Sequence, residues 1–175
     1  TPPDTVPGLI RQLVQKGTRA GIVLTAGLDA DHGDGRSHRA AMLEEARASV
    51  FRILGPNCVG LIAPHANLNA SFAHTSALPG KIAFVSQSGA LVTAVLDWAR
   101  SRGIGFSHFI SLGDATDVDF GDTLDYLATD PKTSAILLYI EDVRSARKFM
   151  SAARARGREG RGVAHRRTGR HGRRV

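Results

Sequence analysis

The stretch KIAFVSQSGALVTAVLDWARSRG, from Lys81 to Gly103, decides the fold because it predicts a strand, a turn and a helix in immediate succession. Residues 81–85 are mainly apolar, which is typical of a short buried strand. From Ala90 onwards apolar side chains recur at helical spacing, and the basic residues and glycine at 100–103 are typical of a helix end. The predicted apolar stripe of this helix consists of Leu91, Val95 and Trp98, widened by Val92, Leu96 and Ala99.

The polar turn Ser86-Gln87-Ser88-Gly89 precedes this helix, whose first N–H groups have no intrahelical acceptors. The helix dipole adds partial positive charge there, Ser88 is a candidate N-cap, and Gly89 permits close approach of a ligand. Three interpretations are open: an ordinary capped turn, a binding site for a phosphate or phosphoryl group, and a nucleophile elbow at Ser88. The elbow motif has glycine two residues to either side of the serine, where this chain has Ser86 and Ala90.

Length and composition are those of an ordinary soluble globular protein. The 175 residues suffice for one good core or two small ones, and an apolar content of 42% is ordinary. The longest apolar run, AILLYI at 135–140, is far shorter than the about 18 residues of a membrane span, so no membrane partner is expected. Cys58 is the single cysteine, which excludes an internal disulfide. Without a visible targeting signal, we expect a cytoplasmic location.

The positive charge of the chain is concentrated at one end. The formal net charge is +7, but residues 154–175 hold nine arginines and one acid, Glu159, so that the other 153 residues carry −1. A nucleic-acid-binding protein would spread basic residues over a folded face, and nucleic acid is therefore not an expected partner. Residues 158–175 are predicted to form a basic, disordered tail.

Residues 1–77 resemble part of a doubly wound domain. Short loops connect helix, strand, helix and strand in alternation, which favours a parallel sheet with crossover helices. No G-x-G-x-x-G motif is present. The predicted elements are helix Thr5–Lys16, strand Gly21–Ala26, helix His38–Ser49 and strand Arg52–Leu54, followed by extended residues 59–62 and a connector with a short edge strand at Leu68–Phe72.

Residues 78–157 have the β-α-β-α-β-α order of a flavodoxin-like domain. In such a domain ligands bind beyond the carboxyl ends of the strands. Three loops lie there: residues 86–89, residues 112–121, and Glu141 with Asp142. The predicted strands are 81–85, 106–111 and 134–140, and the predicted helices are 89–102, 122–128 and 144–155.

Acidic residues in two of these loops have open roles. Asp114, Asp117, Asp119 and Asp122 do not match the spacing of a calcium loop, so we favour solvated or capping acids and predict no metal site. Asp122 has the position of an N-cap or first-turn acid. Glu141 follows an apolar strand near the turn at 86–89; it either orients a cationic or donor group, such as a histidine, or is simply an exposed strand-end acid.

Several motifs together resemble the NDP-forming acyl-CoA synthetases, a superfamily that includes the succinyl-CoA synthetase α subunit and the ADP-forming acetate–CoA ligases. The segments at 96–99, 133–139 and 151–154 are similar to the branch fused to a GNAT domain, the large protein lysine acetyltransferases of bacteria. The likeness covers about residues 5–157. The motifs that carry it are GPNCVG (55–60), PGKIAFVSQSGA (79–90), SLGD (111–114) and DVD (117–119).

The resemblance implies a Rossmann-like CoA-binding domain, present in part, followed by a succinyl-CoA synthetase-like domain. It also implies a reversible ligation in which acyl-CoA, NDP and phosphate are exchanged for a carboxylic acid, NTP and CoA, through an acyl phosphate and a phosphohistidine. The residues so implicated are Asn57 and Cys58 at the thiol end of CoA, Ser86, Gln87, Ser88, Gly89 and Ala90 facing the phosphohistidine, Glu141 orienting that histidine, and Gly113 and Asp114 on the substrate side.

The implied cofactors are CoA, and ATP or ADP with Mg²⁺ held by a grasp domain or β subunit; a GNAT domain is a further implied partner. The first βαβ segment of the family, its phosphohistidine and its grasp domain have no counterpart in the aligned region, so we expect a fragment that is inactive alone. The alternative is a non-catalytic CoA-sensing or acyl-CoA-sensing module of a GNAT-fused acetyltransferase. Family members continue after Gly157 with an apolar strand. The basic sequence in this chain is interpreted as a truncation or change of reading frame, or as a disordered arm, with a nucleic-acid tether as the least favoured alternative.

Overall fold

A computed structural model describes residues 1–158 and 163–167 of the chain, with side chains to residue 155. Within this part of the chain, five α-helices and two short 3₁₀ helices accompany one sheet of two strands and one of six. The helices are α1 (Val6–Gln15), α2 (His38–Arg47), α3 (Gly89–Ser101), α4 (Phe120–Thr129) and α5 (Ala146–Arg158). The strands are β1 (Ala20–Ile22), β2 (Arg52–Leu54), β3 (Gly60–Ala63), β4 (Leu68–Ser71), β5 (Pro79–Ser86), β6 (Phe106–Ser111), β7 (Ala135–Ile140) and β8 (Val163–Arg167).

The smaller sheet consists of β1 and β2, which run parallel and are connected through α2. This is the predicted strand–helix–strand crossover. β1 is shorter than the predicted strand 21–26. Val23 N still donates to Leu54 O at 2.9 Å, but β2 ends there and the chain turns at Gly55. Residues 24–26 therefore have no partner strand within the described chain.

The larger sheet has the strand order β4-β3-β6-β5-β7-β8. Its segment β6-β5-β7-β8 is parallel, whereas β3 pairs antiparallel with both β4 and β6. The parallel segment, with its intervening helices, is the predicted flavodoxin-like arrangement, and the fold class is confirmed. It places the carboxyl ends of β5, β6 and β7 at one edge of the sheet.

The predicted division near residue 78 does not coincide with the division between the sheets. β3 and β4, expected to belong to the first unit and its connector, are strands of the larger sheet. Leu61 and Ile62 pair with Ile110 and Phe109 of β6, and Ile62 is 1% exposed. Leu61 packs against the hydrophobic cluster on one face of the larger sheet and Ile62 belongs to the cluster on the other, and this burial explains why the segment joins that sheet.

Helices cover both faces of the parallel strands, and neighbouring residues of β5 alternate between them. Phe84 packs with α3, whereas Val85 packs with α4 and α5. The predicted α3 stripe is partly wrong, because Trp98 is 53% exposed and lies under the guanidinium of Arg102 at 4.7 Å. The buried residues of α3 are Val92, Leu96 and Ala99, which were expected only to widen the stripe.

The predicted disordered tail is wrong for six of its residues, because Arg158 is the last residue of α5 and five others form a strand. Val163–Arg167 form β8, which pairs parallel with β7 from Ile136 to Ile140. The segment VAHRR lacks the apolar run from which buried strands are recognised, so no local signal indicates this strand. Residues 159–162 and 168–175, the remainder of the predicted tail after Arg158, lie outside the described residues.

Candidate functional site

The turn at residues 86–90, named the anion turn below, connects β5 to α3. Ser88 is the N-cap of α3, as predicted, and its Oγ accepts from Leu91 N at 3.4 Å. Ser86 Oγ accepts from Ser88 N at 3.0 Å and donates to Ser88 O at 3.1 Å. Because Ser86 is fully buried, these bonds hold the turn from the interior of the protein.

The first amides of α3 are available to an anion. Gly89 is half-buried and Ala90 is exposed, and neither N–H has an acceptor among the residues that the structure describes. α3 contains 13 residues, so its dipole contributes partial positive charge at this end. N–H groups and dipole together favour an anionic oxygen beside Gly89 and Ala90.

Glu141 lies at the same edge of the sheet as the anion turn. β5 and β7 are parallel neighbours, with Ser86 opposite Tyr139. Gln87 Oε1 accepts from Glu141 N at 2.8 Å and from Asp142 N at 3.0 Å, so the two loops are in direct contact. Glu141 is exposed, and its carboxylate is accessible to a group brought to the anion turn.

The loop after β6 packs against the turn that contains Asn57. Gly113 has φ +55°, and a Cβ at this position would lie 2.2 Å from Pro56 O and 2.4 Å from Asn57 O. Asp114 N donates to Pro56 O at 2.9 Å, and Asn57 Nδ2 donates to Asp114 Oδ1 at 3.1 Å. The structure therefore brings three of the predicted residues together: Asn57, Gly113 and Asp114.

Arg39 completes this group, and the sequence did not indicate it. Its guanidinium contacts Asp114 Oδ2 at 2.5 Å and Asp29 Oδ2 at 3.0 Å. Arg39 lies on α2, 75 residues from Asp114 in the chain, so no local pattern could have paired them. The Asp114 carboxylate is thus held by an arginine and an amide rather than solvated.

Asn57 and Cys58 face different environments. Asn57 is exposed and has φ 55°, a left-handed conformation that asparagine tolerates. Cys58 is 3% exposed, and its Sγ is directed toward the end of β1, 3.5 Å from Val23 O. Burial raises the pKa of the Cys58 thiol from 9.0 to about 11. A ligand at this turn meets the Asn57 side chain and the backbone, not the thiol.

The raised pKa predicts slow alkylation of Cys58. At pH 8 a thiol of pKa about 11 has about 100-fold less thiolate than one of pKa 9.0, and the thiolate is the reactive form. We expect iodoacetamide to modify the native chain at least about 100-fold more slowly than the chain unfolded in urea. Mass spectrometry at timed intervals measures both rates. Similar rates would contradict the burial of Cys58.

Ser111, a residue that was not predicted, connects the Asn57 turn to the anion turn. Its Oγ accepts from Val59 N at 2.9 Å, and its backbone lies opposite Ser86 in the sheet. Leu112 N donates to Ser86 O at 2.8 Å. Hydrogen bonds therefore extend across the sheet edge from the Asn57 turn to the Glu141 loop.

The remaining acids of the 112–121 loop are paired. Asp119 is the N-cap of α4 and forms a capping box with Asp122, so Asp122 is the predicted first-turn acid and not the N-cap. Lys148 Nζ lies 3.0 Å from Asp119 Oδ1 and 2.6 Å from Asp122 Oδ2, and Arg52 Nε lies 3.1 Å from Asp117 Oδ2. Burial is the largest single influence on the pKa of Asp122 and tends to raise it, but the hydrogen bonds from Lys148 and the Asp119 N–H, with the charges of Lys148 and Arg52, together outweigh burial, so the pKa is lowered. Among the described residues, no three His, Cys, Asp or Glu side chains converge on a metal position.

Comparison with known proteins assigns the chain to a protein family. The model of the succinyl-CoA ligase like flavodoxin domain matches residues 79–174, more than half of the chain. The chain belongs to this family. The match begins at the first residue of β5 and includes the anion turn, the loop after β6 and Glu141.

Relatives of this ligase-like chain are found among acetate–CoA ligases. It is 41% identical over 140 residues to the alpha subunit of ADP-forming acetate–CoA ligase II of Pyrococcus furiosus, covering 80% of this chain and 30% of that protein. It is 37% identical over 154 residues to ADP-forming acetate–CoA ligase I of Archaeoglobus fulgidus, covering 88% of this chain and 22% of that protein. The chain therefore spans less than one third of the length of either relative.

Solved structures show the same fold. A protein of Pyrococcus horikoshii OT3 superimposes with a TM-score of 0.87 at 37% identity, over 94% of this chain and 38% of that one. The dinucleotide forming acetyl-coenzyme A synthetase 1 of Ca. Korarchaeum cryptofilum, in complex with phosphate and ADP, gives a TM-score of 0.86 at 31% identity, over 97% of this chain and 36% of that one.

Within the part of the chain that the structure describes, no helix has the length and apolar composition to cross a bilayer.

Proposed function

We propose that this chain is part of an NDP-forming acid–CoA ligase of the acetate–CoA type. The reaction converts acyl-CoA, NDP and phosphate into carboxylic acid, NTP and CoA, and is reversible. One observation carries the proposal: the first amides of α3, at Gly89 and Ala90, and the carboxylate of Glu141 lie at one sheet edge, joined through Gln87. Identities of 37% and 41% to ADP-forming acetate–CoA ligases support it.

The chemistry assigned to this chain is electrostatic. A phosphoryl group carried by a histidine of another segment places its oxygens at the Gly89 and Ala90 amides, where the helix dipole offsets their charge. Glu141 accepts a hydrogen bond from the imidazole, which fixes its orientation and stabilises its cationic form. The exposed Asn57 contacts the thiol end of CoA, close to Asp114.

Other parts of the parent protein complete the reaction in this proposal. A grasp domain or β subunit holds ATP or ADP with Mg²⁺, and the phosphohistidine moves between the nucleotide and the anion turn. Residues 1–175 alone are therefore expected to give neither NTP-dependent formation of a CoA ester nor its phosphate-dependent cleavage. We place the parent in the cytoplasm, where CoA, nucleotide and a reduced cysteine coexist.

A chimera tests the proposal. The matched 140-residue segment of the Pyrococcus furiosus alpha subunit is replaced by the aligned part of this chain, and the chimera is combined with the other subunit of that ligase. Formation of ATP from acetyl-CoA, ADP and phosphate is then measured. We expect turnover that depends on all three substrates. A folded chimera that binds CoA but forms no ATP would contradict the proposed function.

A further inference from the structure

The side chain of Gln87 is committed to the Glu141 loop. Two backbone N–H groups, those of Glu141 and Asp142, converge on one atom of this side chain at 2.8 and 3.0 Å. Both are donors, so the atom between them is the amide carbonyl oxygen, Oε1. This oxygen is therefore not available to a bound ligand, although Gln87 belongs to the anion turn.

These bonds replace strand pairing where the sheet ends. The last paired residues of β5 and β7 are Ser86 and Tyr139, and Gln87 N donates to Tyr139 O at 3.3 Å. Beyond that point the backbone of β5 turns into α3, and no residue of β5 remains to pair with Glu141. The Gln87 side chain supplies the acceptor that the strand backbone no longer provides.

The backbone of the exposed Glu141 is held by Gln87. The Glu141 N–H donates to Gln87 Oε1 at 2.8 Å, directly after Ile140, the last residue of β7 that pairs with β8. An exposed carboxylate on an untethered bend would sample many positions relative to the anion turn. Two bonds to a residue of that turn restrict the Glu141 loop to one arrangement.

We propose that Gln87 is a positioning residue, which fixes the carboxylate of Glu141 relative to the first amides of α3. This inference rests on the proposed function, because the position of the Glu141 carboxylate matters only if that carboxylate orients the phosphohistidine at the anion turn. Gln87 itself contacts neither phosphate nor substrate in this role. Its identity is specified by the need for an acceptor oxygen beyond two methylene groups, which glutamate retains, whereas methionine offers only the weakly accepting thioether sulfur.

Amide hydrogen exchange in the full chain tests the contact itself. With Gln87→Met we expect the amides of Glu141 and Asp142 to exchange at least about tenfold faster, while Leu138 within β7 keeps its rate. Gln87→Glu is expected to keep both amides protected, because its carboxylate accepts the same bonds. Unchanged exchange in Gln87→Met, or equal acceleration at Leu138, would overturn the inference.

A double-mutant cycle in the chimeric ligase tests the positioning role. We expect Gln87→Met to lower kcat about tenfold with little change in the KM for acetyl-CoA, and to cause no further loss when Glu141 is already Gln. Equal losses in both backgrounds would show that Gln87 acts independently of Glu141 and would overturn the role. An inactive unsubstituted chimera would instead count against the proposed function. The hydrogen-exchange experiment would still show whether Gln87 holds the Glu141 and Asp142 amides.

Discussion

Replacing Glu141 with glutamine in the chimeric ligase is expected to lower kcat about 100-fold, the upper end of the effect of removing a residue that orients a histidine. Glutamine has almost the same shape but carries no charge, so it cannot stabilise a cationic imidazole or enforce one orientation of the ring. The backbone bond to Gln87 is unaffected by the substitution. ATP formation from acetyl-CoA at saturating substrate measures the loss.

The control for this substitution is Asp125→Asn. Asp125 is an exposed acid in the middle of α4, outside the three loops of the candidate site, and its change removes the same charge from the protein. We expect the rate of the control to stay within about twofold of the unsubstituted chimera. Glu141→Gln with the rate of the control would mean that this carboxylate has no part in the reaction.

Gly113→Ala is expected to cause a large loss of stability, at least about 3 kcal/mol in the free energy of unfolding. The residue has φ +55°, which alanine adopts only with strain, and the added Cβ would lie 2.2 Å from Pro56 O. Relief requires the Asn57 turn and the loop after β6 to separate. Urea unfolding followed by circular dichroism measures the difference.

Gly103→Ala is the matched control for strain alone. Gly103 follows α3 with φ +67°, and no atom of the described residues lies within 4 Å of a Cβ built there. The expected cost is about 1–2 kcal/mol, the conformational strain without a clash. If Gly113→Ala cost no more than Gly103→Ala, the close packing between the two loops would be wrong.

The local part of the site could be predicted from sequence because its signals are contiguous. An apolar run, a Ser-Gly turn and a 3.6-residue periodicity lie within 23 residues, from Lys81 to Gly103, and they predicted β5, the Ser88 cap and α3. The position of Glu141 beside the anion turn followed from strand order, since parallel strands place their carboxyl ends at one edge.

Contacts between distant segments could not be predicted in this way. Arg39 meets Asp114 and Val59 meets Ser111 across 75 and 52 residues, and neither pair leaves a local pattern. The direction of the Cys58 thiol depends on which side of the Asn57 turn packs against the end of β1, and a local sequence pattern does not specify that packing. Trp98 was misplaced because the predicted stripe of six residues is wider than the buried face of α3, and the largest of the six is the one left exposed.

A phosphate titration of the ¹⁵N-labelled chain tests most directly whether the start of α3 binds a phosphoryl group, on which the proposed function depends. We predict saturable shifts of the Gly89 and Ala90 amide signals at constant ionic strength. Gly89→Pro should weaken them at Ala90, because proline fits the first helical position but removes one N–H donor. Shifts confined to the arginine-rich residues 154–175, with Gly89 and Ala90 unmoved, would contradict phosphoryl binding at this helix.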